Sequence, residues 1–287
     1  MYVGIMVVVA LLIGASVLFL QPQQPGPPKA AIIDQLSSSL LTDSSRHVNQ
    51  TFVSTAEALL YTHFPEVDYY SDNATVESYR DLPSMGYKLI LWRAHSAVDE
   101  SDGYIAISTS ENNATSNYPQ YANGELTLCK IENDPKFYFA ITPKFIADVM
   151  TGSFQDTVII LMSCNGLGQG YTKTAEALEE KGALVIISWD EWIESNDNDN
   201  AIALLLNYLL NDNYTIGQAV AKVPQQPGPS NLDYFPKDAT AADYQIPNYD
   251  EKTATVDIGV KATLDQDKSK LAAVTSISNS RLTYLNG

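Results

Sequence analysis

Three short apolar runs dictate what this chain can become. Tyr87–Ala94, Thr157–Ser163 and Ala183–Trp189 are rich in Val, Ile and Leu, with almost no polar interruption. A strand with one face in water alternates polar and apolar residues. These runs do not, so they read as strands covered on both faces, the situation of parallel strands in an α/β sheet. Segments of helical periodicity separate them. Phe52–Phe64 sets Phe52, Ala56, Leu59 and Leu60 on one side, and Thr172–Lys181 is closed by Gly182. Shorter helices are expected over Thr75–Leu82, Thr142–Met150, Asp199–Leu210 and Ile216–Val223, and further strands at Lys29–Asp34, Glu66–Tyr70 and Thr253–Ala262. The alternation predicts an α/β fold, a doubly wound, mostly parallel sheet with helices on both faces. One stretch breaks the rhythm. Residues 99–138 hold two alternating segments, Gly103–Ser108 and Glu125–Ile131, and read as a small antiparallel β-insertion.

In an open α/β sheet the ligand crevice lies just past the carboxyl ends of the strands. His95 and Ser96 follow the first apolar run, and Cys164, Asn165 and Gly166 follow the second. If these two strands are neighbours, an imidazole and a thiol face each other across the crevice, as a cysteine nucleophile and its base must. Asp190 and Glu191 follow the third run and Asp34 ends the first strand, which would bring three carboxylates to the rim, with Trp189 and Trp192 as candidate walls, one of them expected in the core. Carboxylates in that position favour Lys or Arg side chains. His47 and His63 read as structural. No His, Cys and Asp grouping has the spacing of a zinc site. Asp197-Asn-Asp199-Asn200 lacks the Gly and distal Glu of a calcium loop and reads as a helix N-cap. Neither metal nor cofactor is expected.

The formal charge is −17. Phosphate affinity is mostly Lys and Arg electrostatics, so nucleic acid is a poor partner for this surface. Val3–Leu20 is an uncharged apolar run long enough to cross a bilayer, and it lacks the positive n-region of a signal peptide. Residues 1–20 are therefore expected to anchor the chain in the cell membrane as a single pass with the globular part outside. The chain would be secreted if that segment is cleaved. A Pro/Gln-rich linker (21–29), the α/β domain (30–223) and an extension (224–287) follow. The extension opens with Pro224–Pro229, which repeats Pro22–Pro27 residue for residue. N-x-[ST] sequons at Asn49, Asn73, Asn113 and Asn213 fit an exported glycoprotein. Cys129 and Cys164 are the two cysteines. A disulfide between them is the rival expectation for an exported chain, and it would remove the nucleophile.

Leu-Ile-Leu-Trp-Arg-Ala-His95-Ser, then Val-Ile-Ile-Leu-Met-Ser-Cys164-Asn-Gly, then Gly182-Ala-Leu-Val-Ile-Ile-Ser-Trp189 resembles, in order and context, the caspase-like (clan CD) cysteine peptidases. These include caspases, gingipains, clostripain-type enzymes, legumains, separases and CHAT domains. The block from Val158 to Val223 is most similar to the clostripain, gingipain and CHAT side, and the resemblance covers roughly Ala30 to Val223. It implies a cysteine endopeptidase acting on peptide or protein substrates through a His95–Cys164 dyad, with no third residue needed. It also implies an oxyanion hole from the backbone N–H groups of Ser96 and Cys164. Two positions depart from the family. Ser96 stands where it usually has Gly, and Met162 stands where many relatives carry an acid that holds a basic P1 side chain. The other reading is a catalytically inactive caspase-like domain, serving as a cell-surface binding or scaffolding module.

Overall fold

Successive side chains of each apolar run enter two different cores, and this is why the runs show no alternation. The computed structural model describes residues 27–249. Its larger sheet contains β1 (Lys29–Asp34), β2 (Glu66–Tyr70), β3 (Tyr87–Arg93), β8 (Thr157–Met162), β9 (Ala183–Trp189) and β10 (Leu232–Phe235). Their order across the sheet is β10-β9-β8-β3-β1-β2. All neighbours are parallel except β10, which runs antiparallel to β9 at the edge. On one face, Ile33, Ile90, Trp92, Ile159 and Leu161 pack under α2 (Val76–Asp81), α3 (Pro143–Asp148) and α4 (Lys173–Glu180). On the other, Ile32, Leu89, Leu91, Val158 and Ile160 pack under α1 (Gln50–Leu60), α5 (Ser195–Leu206), α6 (Ile216–Lys222) and α7 (Ala239–Asp243). Burying each such side chain stabilises the fold by roughly 1.5–3 kcal/mol, so a strand shared by two cores is held firmly.

Local signals fix the helix starts. The Asn49 side chain accepts from Phe52 N at 3.0 Å to cap α1. Thr75 caps α2 in a reciprocal box with Ser78, and Thr142 caps α3 with Pro143 in its first turn.

The smaller sheet is wholly antiparallel, in the order β4-β5-β7-β6, with β4 (Ser96–Asp99), β5 (Tyr104–Asn112), β6 (Leu126–Lys130) and β7 (Phe137–Ile141). It is inserted between β3 and β8, begins earlier and ends later than the expected 99–138, and has four strands where the sequence suggests two. β4 is four residues long with two apolar side chains, too little pattern to read. β7 shows no alternation because Tyr138 and Ala140 enter one core and Phe139 and Ile141 another.

Two further expectations are corrected. The helix predicted from Asp199 begins at Ser195, because the Asp199 carboxylate binds Arg93 instead of capping a terminus. The extension after the second proline tract, where the sequence suggests a strand only at Thr253–Ala262, supplies β10 and α7, so the sheet draws on residues beyond Val223. The expected anchor at 1–20 and the expected strand Thr253–Ala262 lie outside the described residues. Among the described residues no helix is long and apolar enough to cross a membrane.

Candidate functional site

β3 and β8 are neighbouring parallel strands, with Arg93 opposite Met162. The residues that leave them, Ala94-His95 and Ser163-Cys164, therefore emerge side by side. His95 and Cys164 line one cavity of about 420 Å³, with Ser96, Met162, Asn165 and His47 around them. Cys164 and Cys129 are both free thiols, so the rival disulfide is not formed.

The floor beneath the site is ionic. Arg93 is 1 % exposed and donates from Nη1 to Asp34 at 2.7 Å and from Nε and Nη2 to Asp199 at 2.7 and 2.8 Å. Tyr69 Oη and Ser37 N supply further donors to Asp34, and Asn49 Nδ2 does so for Asp199. Burial opposes the Arg93 charge, but the Asp199 hydrogen bond and the pull of both carboxylates outweigh it and hold the guanidinium above its usual value. Removing one member of such a group leaves an uncompensated buried charge, a loss of about 3–5 kcal/mol. The group joins β1, β3 and α5 two residues before His95.

Two hydrogen bonds fix the orientation of His95. Its backbone N–H donates to Gln35 Oε1 at 3.1 Å, and its Nε2 lies 2.8 Å from the Ser45 carbonyl. A carbonyl can only accept, so Nε2 carries the proton and Nδ1 keeps its lone pair in the neutral ring. The His47 ring stands edge-on to it with centroids 5.6 Å apart. Burial, helped by His47 and Arg93, pulls the imidazole down to about 4, against a smaller opposing effect of the Ser45 carbonyl and Asp134.

Cys164 sits on a tight turn. Asn165 is left-handed (φ 57°), which Asn tolerates better than most residues, and its N–H donates to the Glu191 carbonyl at 3.0 Å. A Cβ at Gly166 would fall on the Ser188 hydroxyl, so only glycine lets the turn approach β9. Sγ donates to the Ile193 carbonyl at 3.7 Å. Burial raises the thiol pKa, as does Glu194, and the Ile193 contact offsets only part of that.

Ser96 connects the two loops. Its hydroxyl donates to the Cys164 carbonyl at 2.8 Å. Ser108 N donates to the His95 carbonyl at 2.9 Å, which ties the histidine to β5. Ser96 itself, on the edge strand β4, pairs with Ile107 of β5. Ser96 borders the cavity.

No protein-family model matches this chain, and no curated protein matches it at a significant level.

The carboxylates expected at the rim are elsewhere. Asp34 is fully buried and bound to Arg93. Asp190 accepts from Asn231 N and Nδ2 at 2.6 and 3.0 Å and ties the end of β9 to the approach to β10. The Glu191 side chain is exposed away from the cavity, and that residue meets the site only through its carbonyl. Trp189 is 1 % exposed, a core residue whose Nε1 donates to Asn198 Oδ1 at 2.9 Å. Each was placed at the rim by following a strand, whereas the cavity is closed by loops that come from elsewhere.

The lining that sequence reasoning missed includes His47, Glu132 and Glu194, while Trp192, one of the two tryptophans expected as walls, does line the cavity. Glu132 and Glu194 are exposed, and among the described residues neither side chain forms an ion pair or hydrogen bond. The one lysine of the lining, Lys130, is engaged elsewhere: its ammonium donates to the Asp134 carbonyl and lies 4.8 Å over the Phe137 ring. Trp192 is 55 % exposed. Of the sequons, Asn73, Asn113 and Asn213 are exposed. Asn49 is half-buried, and the nitrogen that a glycan would need donates to Asp199 at 2.9 Å.

Proposed function

We propose that the protein is an exported, membrane-anchored cysteine endopeptidase with a caspase-like α/β domain, using a His95–Cys164 dyad and preferring a basic P1 residue. The observation that carries this reading is the pairing of Arg93 with Met162, which brings the imidazole and the thiol out of neighbouring strands into one cavity. The thiol is neutral at rest and the imidazole is unprotonated at neutral pH. Attack on the scissile carbonyl then proceeds with transfer of the Sγ proton to Nδ1 of His95, the nitrogen left free by the Ser45 contact. The backbone N–H groups of Ser96 and Cys164 receive the oxyanion, each worth about 3 kcal/mol in the transition state. His95 passes its proton to the leaving amine, and water attacks the thioester to release the second product.

The basic P1 preference now rests on Glu132 and Glu194 instead of Asp34, Asp190 and Glu191. Two carboxylates without an ion pair among the described residues, lining one cavity with an exposed indole, suit a guanidinium or ammonium group. A second reading, the non-catalytic binding module, draws on the thiol's hydrogen bond to Ile193.

A positional peptide library assayed with the wild type, Cys164→Ala and His95→Ala separates the two. Cleavage after Lys or Arg that is lost in both variants supports the peptidase. A wild type that cleaves nothing, and whose Cys164 reacts with a thiol-directed probe equally well with and without His95, supports the binding module.

A further inference from the structure

The Ser45 carbonyl that fixes the His95 tautomer belongs to a short turn in the polar loop between β1 and α1. Ser45 N donates to the Thr42 carbonyl at 3.1 Å to close this turn. The Ser45 hydroxyl also reaches the Thr42 carbonyl at 3.2 Å, and a second set of bonds comes to the turn from the inserted sheet. Asp134, in the connection between β6 and β7, is 2 % exposed. Its Oδ2 accepts from Thr42 Oγ1 at 2.6 Å, from Tyr138 Oη at 2.9 Å and from the Ser45 hydroxyl. Its Oδ1 accepts from Lys136 N at 2.8 Å. Tyr138 Oη also accepts from Thr42 N at 3.3 Å.

We infer that Asp134 is a positioning residue, which clamps the Thr42–Ser45 turn from the inserted sheet so that the Ser45 carbonyl holds the His95 imidazole with Nδ1 free. The catalytic meaning of this rests on the peptidase reading, whereas the clamp itself does not. A buried carboxylate ordinarily prefers to be neutral. Here burial raises Asp134, but its four donors more than reverse that and hold it at about 2, so the clamp is charged at neutral pH. Two of the four donors, Thr42 and Ser45, come from the turn and two, Tyr138 and Lys136, from the inserted sheet, so one carboxylate joins the two. Displacing the carbonyl by about 1 Å would cost on the order of tenfold to a hundredfold in a reaction that depends on aligned proton transfer. The groups that face the imidazole are His47 from the same loop, Arg93 from β3, and Asp134 itself. Only Asp134 is bonded to the residue whose carbonyl meets Nε2.

The test uses the full-length chain labelled with ¹⁵N-histidine, which has three histidines to resolve. His95 is assigned by the signal missing from His95→Gln. In the wild type the ring nitrogens report a single Nε2–H tautomer between pH 6 and 8. In Asp134→Asn the two nitrogens shift toward an averaged mixture of tautomers, and kcat falls about tenfold or more with KM changed less than twofold. Ser45→Ala keeps the carbonyl but removes one clamp bond, and is expected to move both readouts in the same direction by less. This milder variant decides the matter if Asp134→Asn does not fold. A tautomer unchanged in every folded variant overturns the inference. A tautomer that shifts in a protein without peptidase activity upholds the clamp and sinks the peptidase reading instead.

Discussion

The hydroxyl of Ser96 donates to the backbone carbonyl of Cys164 across 2.8 Å, so the loop that carries the histidine is bonded to the loop that carries the thiol. On the proposed caspase-like reading, serine stands here where that family usually has glycine. Serine keeps the backbone N–H and adds a strap. Losing a neutral hydrogen bond costs about 1 kcal/mol, which is roughly fivefold in rate if it is felt only in the transition state. Ser96→Ala is therefore expected to lower kcat/KM about fivefold, and Ser96→Gly further, because it also frees the backbone. Steady-state kinetics on the full chain read this directly, and two variants indistinguishable from the wild type would remove the strap from the account.

The resting pair is uncharged, which makes Cys164 a slow nucleophile toward reagents that bring no substrate contacts. Burial and Glu194 keep the thiol protonated past its usual value, and burial keeps His95 deprotonated until pH falls to about 4. Alkylation by iodoacetamide should then climb steadily from pH 6 to beyond pH 9. A stored thiolate–imidazolium pair would instead give a plateau between pH 5 and 8. The measured profile distinguishes the two, and a plateau refutes the neutral pair.

Charge selection at the cavity is assigned to Glu132 and Glu194. Each of Glu132→Gln and Glu194→Gln is expected to reduce the preference for Arg over Leu at P1 about tenfold, equivalent to about 1.4 kcal/mol. Both carboxylates are solvent-exposed, so the wild-type preference should also weaken as salt rises from 0.05 to 0.5 M. A preference that survives both substitutions and is indifferent to salt would locate P1 recognition elsewhere.

Strand content and the His95–Cys164 juxtaposition were legible because both are written locally. Runs such as Val158-Ile-Ile-Leu-Met162 must be covered on both faces, and a residue after a buried strand must reach the sheet's edge. The cavity walls were not legible. Glu132 comes from a turn of the inserted sheet, Glu194 from the start of α5 and His47 from a polar loop, and no local pattern records that these meet. Asp34 shows the opposite error. It ends a strand, as expected, but a buried cation at Arg93 claims its carboxylate, and ion pairs between distant positions leave no periodicity to read. β10 was missed for a related reason: a short edge strand of Leu-Asp-Tyr-Phe is half-buried along its whole length and carries no apolar run.

Acid stability follows from the same imidazole. In the unfolded chain His95 titrates near 6.5, whereas in the folded protein burial delays protonation to about 4. As pH falls through that interval, the unfolded state binds a proton that the folded state refuses, so stability declines between about 6.5 and 4 and this contribution levels off below. The full shift corresponds to about 3 kcal/mol, an upper limit because the ring retains some contact with solvent. Asp134 acts in a lower window. Its folded value of about 2 lies under the ordinary 3.8, so it stabilises the fold above about 3.8 and that stabilisation is lost as pH drops toward 2. Urea denaturation at pH 7, 5.5 and 4 should thus show a progressive loss in the wild type and a distinctly shallower one in His95→Gln, which has no imidazole to protonate. Equal slopes in the two proteins would mean that His95 is not held neutral by the fold, and the neutral-pair mechanism would fall with it.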